Sequence, residues 1–245
     1  MPVGRSSKAC SYRRLSLSLC GLALVLSACA GEPTVQRGED AEVIQGGLNR
    51  VDNARVDFAY VDPEVDFRRY RQVRLLPLGL DHTEIVQPET AFGTGRSIRE
   101  EWQLSERDRQ DIQGAYREAM QGAMAKVQHF TVADAPGPEV LAVEAALTRI
   151  APSAAKDDMN ARPVGRSRVY TQGAGSTSIA LALVDSESGE VLALMKDTRD
   201  GQAGAWGLNN RVSNLAEVRR VFGLWARLLA GGLDRLTRQS PEEGG

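Results

Sequence analysis

Three cysteines and two histidines are all that the 245-residue chain offers of the side chains most used for nucleophilic and metal chemistry. A Ser-His-Asp relay needs a histidine within hydrogen-bond reach of both partners. His129 stands where a helix is expected to pass into a strand, and His82 lies in a loop beside Asp81; both positions suit a cap or the surface. A zinc site needs three or four clustered N, S or O ligands, and the chain holds no cysteine pair and no HExxH. Asp157-Asp158, and Asp197 with Asp200, read as solvated loop acids that could hold a hard cation only weakly. Carboxylates alone can cleave glycosides when two of them flank the bond, and Glu100, Glu101 and Asp197 are candidates for that by composition. Gly93-Thr94-Gly95-Arg96-Ser97 and Gly173-Ala174-Gly175-Ser176-Thr177 look superficially like phosphate loops. Neither completes GxxxxGK followed by Ser or Thr, and neither leads plainly from strand into helix, so both read as turns. No catalytic set, no metal and no separate cofactor is expected.

Of the cysteines, Cys29 alone has a patterned setting. Arg5, Lys8, Arg13 and Arg14 come first, residues 1–28 contain no acid, and Leu15 to Leu26 is apolar apart from its serines. A basic start, an apolar run and a small-residue exit are the parts of a secretory signal peptide. The apolar run falls short of the roughly 20 residues that a spanning helix needs. Leu26-Ser27-Ala28-Cys29 resembles, at all four positions, the lipobox of bacterial lipoproteins. That resemblance implies cleavage between Ala28 and Cys29, a diacylglyceryl group on the Cys29 thiol and an acyl group on the new amino terminus. Each buried CH₂ adds about 0.8 kcal/mol, so two or three chains make the anchor effectively permanent. Ala30, where lipoproteins of the inner membrane often carry Asp, points to the outer membrane; the periplasmic face is the side expected for the domain.

Removing the leader changes the charge balance. The 30 Lys and Arg lose four with residues 1–28, leaving 26 against 32 acids and a formal net charge of −6. A mildly acidic domain has no broad field to attract nucleic acid. Cys10 and Cys20 leave with the signal, so no disulfide inside the mature chain is available. The fold must be held by its core. Residues 30–56 are polar and carry no helical or strand period, which predicts a flexible tether over 29–56 with a root-mean-square reach of ~26–31 Å.

A single domain is expected over 57–238, followed by a disordered tail over 239–245. Gln72 to Leu78 alternates as a strand and Pro77 closes it. Ser105-Glu106-Arg107-Asp108 places an acid three residues after a hydroxyl, a capping-box signal for a helix running to about Lys126. Ile112, Tyr116, Met120, Ala123 and Val127 form its apolar stripe. His129 to Val132 and Val140 to Ile150 read as strands, the second with Leu141, Val143, Ala145 and Leu147 on its core face. Thr177 to Val184 and Glu190 to Thr198 flank Asp185-Ser186-Glu187-Ser188-Gly189 as a hairpin whose glycine takes the positive φ. A last helix from about Asn214 to Arg238 carries Val218, Phe222, Trp225, Leu229, Leu233 and Leu236, widened by Val221, Leu224 and Leu228. The order β-α-β-β-β-β-α predicts an α+β two-layer sandwich, a mainly antiparallel sheet with both helices on one face.

Tyr60-Val61-Asp62-Pro63, then Asp66-Phe67, Tyr70 and Val73, resemble the start of an uncharacterised lipoprotein family known as domain of unknown function 3313. The agreement continues through Val184-Asp185-Ser186, Ser188-Gly189-Glu190, Asp197 with Arg199, and Trp225. The resemblance implies an envelope location and an α+β fold. It supplies no activity and no catalytic residue.

The expected role is a non-catalytic binding domain held to the membrane by its lipid, with an envelope protein or peptidoglycan as partner. Trp206 and Trp102, in loops, and Leu224 and Leu228, on the broad helix face, are the candidate contacts. Two alternatives stand beside it: a carboxylate-based hydrolase acting on peptidoglycan or lipid, and an accessory subunit of an envelope lipid-transport or assembly machine. Arg68, Arg69, Arg71 and Arg74 form the densest basic cluster and read as a solvated strand edge, offset by Asp62, Glu64 and Asp66.

Overall fold

The computed structural model describes residues 31–87, 103–152, 170–171, 175–201, 207–208 and 211–238. The chain divides into two units, Met1–Gly31 and Glu32–Gly245, and the fold is that of the second. β1 (Thr34–Val35), β2 (Val43–Ile44), β3 (Leu48–Asp52), β4 (Phe58–Val61), β5 (Gln72–Leu75) and β6 (Glu84–Ile85) precede α1 (Glu106–Met124). β7 (Thr131–Val132), β8 (Val140–Ala151), β9 (Tyr170–Thr171), β10 (Ser176–Asp185), β11 (Val191–Asp200) and β12 (Gly207–Leu208) lead to α2 (Arg211–Leu236).

The main sheet has ten strands in the order β1-β3-β4-β11-β10-β8-β5-β7, with β2 on β3 and β6 on β8; β9 and β12 form a separate pair. Pairing is antiparallel except where β5 runs parallel to β7 and β8, and β6 to β8. The parallel contact follows from α1, because a strand–helix–strand crossover returns the chain in its original direction. The α+β layering is as expected, and β5-α1-β7-β8-β10-β11-α2 is its framework. The tether expected over 29–56 requires correction. From Thr34 onward this segment enters the sheet through β1, β2 and β3, and Leu48 is buried in the process. These strands are too short to show a period, and β3 rests on β4, whose far neighbour β11 lies more than a hundred residues on.

Alternation decides which face is covered. Leu141, Val143, Ala145 and Leu147 of β8, and Ile179, Leu181 and Leu183 of β10, face the core with α1 and α2. Ser105 accepts the Asp108 N–H and the Asp108 carboxylate accepts the Ser105 N–H, so the expected capping box forms. Gly189 takes a φ of 74° and closes the β10–β11 hairpin as its turn requires. Gly175, in the stretch read as a turn, stands immediately before β10 with a φ of +84°. A Cβ there would lie 1.9 Å from the Ala151 carbonyl oxygen, so the close approach of β8 demands glycine.

The helices meet through Tyr116 and Phe222, ring edge to ring face at 5.7 Å. The Tyr116 hydroxyl has no hydrogen-bond partner among the described residues, and burial pushes its pKa up to about 12. A buried unpaired hydroxyl costs about 1–3 kcal/mol. Tyr116→Phe is therefore expected to raise stability by about 1 kcal/mol in urea unfolding; a loss of that size would mean the hydroxyl has a partner.

Candidate functional site

Two buried carboxylates first explain how the sheet and helices are fixed. Asp197 sits on the core face of β11, opposite Ile179, and is 1% exposed. Its Oδ2 accepts the Trp225 indole N–H at 2.6 Å and the Arg199 Nε–H at 2.6 Å, and its Oδ1 accepts the Asp57 N–H at 3.1 Å. Asp57 in turn accepts the Thr198 N–H at 2.9 Å, and the Arg55 carbonyl accepts Arg199 at 2.7 Å. Asp197 is thus neither a solvated loop acid nor a free catalytic carboxylate, as sequence spacing suggested. It ties α2, β11 and the 55–57 segment together.

Asp185, at the end of β10, makes the second clamp. Its Oδ1 accepts the N–H groups of Glu187 and Ser188, each at 3.0 Å, and its Oδ2 accepts the Tyr70 hydroxyl at 2.7 Å and Arg69 at 2.6 Å. The Ser188 N–H, followed by the Tyr70 hydroxyl, the Glu187 N–H and Arg69, holds its carboxyl well below the usual carboxylate range, against burial acting the other way. Burial first, then the bond to Asp185, raises the Tyr70 phenol above its ordinary value. The arginine cluster is accordingly not one solvated edge. Arg69 caps this clamp and lies 4.8 Å over the Tyr70 ring, while Arg68 pairs with Asp66 at 2.8 Å. His129 accompanies it as a structural group, its Nε2 lying 2.9 Å from the Tyr70 carbonyl oxygen; His82 is exposed.

The candidate binding site is an apolar cavity of about 140 Å³ between the first strands and the end of α2. Pro33, Val35 and Val51 wall one side, Leu181, Leu183 and Met195 form its floor, and Leu228, Gly232 and Leu236 of α2 line the other side. Among its lining residues only Arg55, Tyr60 and Arg235 are polar, and the Tyr60 hydroxyl is bonded to Glu42 and Arg50. Gly232 has open space where a Cβ would stand, with no atom within 4 Å. Its missing side chain leaves the wall open at a helix position where glycine costs about 1 kcal/mol relative to alanine. The Asp197 clamp, through Asp57 and the Arg55 carbonyl, sets the stretch that carries Arg55 and Val56 to the rim.

Of the expected contact residues, Leu224 and Leu228 are both half-buried, and Leu228 packs on the core and lines this cavity. Trp102, Trp206, Ala28 and Cys29 lie outside the described residues, as do Glu100 and Glu101. The opposite face of the sheet forms a shallow depression over Ala146, Ala180, Ala182 and Leu194, edged by Glu144, Lys196 and Phe58. Sequence reasoning missed the cavity. Its one legible signal was Gly231-Gly232 inside an otherwise apolar helical stripe, since glycines there need a reason. Among the described residues, no helix is long and apolar enough to cross a membrane.

The model of the family described as Protein of unknown function (DUF3313) matches residues 47–229. The chain belongs to that family. The DUF3313 match takes in both carboxylate clamps and Trp225, while Pro33, Gly232 and Arg235 fall outside it. No curated protein matches the chain. The similarity to solved structures is distant. A PelC dodecamer from Paraburkholderia phytofirmans is 10% identical, with 66% of this chain and 88% of that chain covered and a TM-score of 0.33. Protein XCC0632 from Xanthomonas campestris, of family DUF330, is 11% identical over 84% of this chain and 95% of its own, with a TM-score of 0.39. A candidate lipoprotein from Caulobacter crescentus is 14% identical over 73% of this chain and 97% of its own, with a TM-score of 0.32.

Proposed function

We propose that this DUF3313 protein is a lipid-anchored component of the bacterial cell envelope whose domain binds a ligand or partner and does not catalyse. The observation that carries the reading is Cys29 at the end of Leu26-Ser27-Ala28-Cys29, after a basic and then apolar leader. Two further features support it. The carboxylates Asp185 and Asp197 are committed to holding strands and helices, which leaves the carboxylate-hydrolase alternative without Asp197. The apolar cavity has the composition of a small-molecule site, mostly hydrophobic walls with a few polar groups at fixed places. The outer membrane is the location that Ala30 favours, and the periplasmic face is the side we assign to the domain.

The test is metabolic labelling with radioactive palmitate, followed by membrane fractionation. The wild-type protein is expected to carry label and to sediment with the outer membrane. Cys29→Ser is expected to lose the label completely, to keep its leader and to leave that fraction. Label or outer-membrane sedimentation that persists in Cys29→Ser would overturn the anchor.

A further inference from the structure

We infer that the cavity between β1, β3 and the end of α2 takes an acyl-chain segment of an anionic phospholipid, with Arg55 and Arg235 reading its phosphate. The inference rests on the lipid-anchor reading and names the ligand of that domain. Three observations converge on it. The walls are mostly apolar, from Pro33, Val35 and Val51 across to Leu228 and Leu236. An apolar cavity of about 150 Å³ stays dry and accepts a ring of six carbons, so one of about 140 Å³ suits an alkyl segment of similar bulk.

The second observation is charge. Arg55 and Arg235 line the same cavity, and neither has a carboxylate partner among the described residues. The neighbouring acids are otherwise engaged: Asp234 pairs with Arg238 at 2.5 Å, and Asp57 accepts the Thr198 N–H. Two arginines among the residues lining an apolar cavity complement a phosphate joined to an alkyl chain, because guanidinium matches phosphate oxygens in pairs. A neutral apolar ligand would leave both of them unused.

The third is chain length. Pro33 is in the cavity wall and stands only four residues after Cys29. Four extended residues span at most ~14 Å. With the tether replaced by strands, an anchor at Cys29 keeps this wall within headgroup distance of the bilayer. The cavity is therefore held beside the phospholipids themselves, and Gly232 leaves the entrance unfilled.

The experiment uses the full acylated protein in vesicles of phosphatidylethanolamine containing phosphatidylglycerol with a diazirine in its acyl chain. After illumination, labelled peptides are mapped by mass spectrometry. Label is expected in the segments around Val51–Val61 and Leu228–Leu236. Gly232→Leu, which fills open space, is expected to reduce that label about ten-fold while the thermal midpoint is kept or raised. Arg55→Glu with Arg235→Glu is expected to reduce phosphatidylglycerol labelling about five-fold and phosphatidylethanolamine labelling by less, because the ammonium of phosphatidylethanolamine offsets the charge of its phosphate. Undiminished label in a folded Gly232→Leu protein, or no lipid preference in the wild type and the charge-reversed protein, would overturn the inference. The mass of the amino-terminal peptide separates the two readings. Acylated Cys29 with no label in the cavity removes the ligand and keeps the anchor; unacylated Cys29 removes both.

Discussion

Asp197→Asn is expected to destabilise the protein by about 3–5 kcal/mol, the cost of breaking a buried charged network from one side. The amide is nearly the size of the carboxylate, so packing is unchanged and the effect isolates the hydrogen bonds. Asp197 faces donors on both oxygens: Trp225 and Arg199 on one, the Asp57 N–H on the other. Whichever way the amide turns, its NH₂ meets a donor. Trp225 is 0% exposed, so its indole N–H cannot turn to water. Arg199→Gln should cost far less, because that side chain is 32% exposed and water can replace its bond. Urea unfolding followed by tryptophan fluorescence reads both. An Asp197→Asn loss under about 1 kcal/mol would mean that apolar packing, and not this network, holds α2 to β11.

Asp185→Asn is expected to cost about 2–3 kcal/mol at pH 7, for the same reason of donors on both oxygens. The pH dependence distinguishes it from a general packing defect. The folded carboxyl titrates below its unfolded value, so its contribution is complete above about pH 4 and fades as pH falls through the folded value. The gap between wild type and Asp185→Asn should therefore narrow in urea titrations carried from pH 7 to pH 3. A gap that is constant over this range would show that the carboxylate charge contributes nothing, and the Tyr70 and turn N–H bonds would then act as neutral ones. Arg69 is 57% exposed, so its share of the effect is small beside that of the turn amides and the Tyr70 hydroxyl.

The two helices, β8 and the β10–β11 hairpin were legible because each carries its own signal in a continuous stretch. The capping box at Ser105, the alternation from Leu141 to Leu147 and the glycine of the 185–189 turn are all local. The segment from Thr34 to Val61 was not legible in that way. Its strands are two to five residues long, and they are strands only because β4 finds β11 at the other end of the chain. The clamp residues show the same limit. Asp185, Asp197 and Trp225 stood out as the residues behind the family resemblance, yet an acid inside an alternating strand looks solvent-facing until an indole N–H and an arginine are seen to meet it. The cavity depends on that distant pairing as well, since Pro33, Val35 and Val51 reach α2 only after the sheet has closed. Leu26 to Cys29, which resemble a lipobox, lie outside the described residues, and that resemblance is read from sequence alone.

The bond between the Asp57 N–H and Asp197 spans 140 positions of the chain, and the return bond from Thr198 to Asp57 spans 141. Contacts of such separation are slow to form, because the intervening loop must close before any of them is rewarded. Strand β4, on which β1 to β3 are built, therefore remains without β11 until that strand has been synthesised. A chain emerging from its amino terminus meets a long interval in which its first quarter has only its own short strands to pair with. If the leader proposed at residues 1–28 exports the chain, that interval is useful, because the sheet closes only after nearly all of the chain has been made.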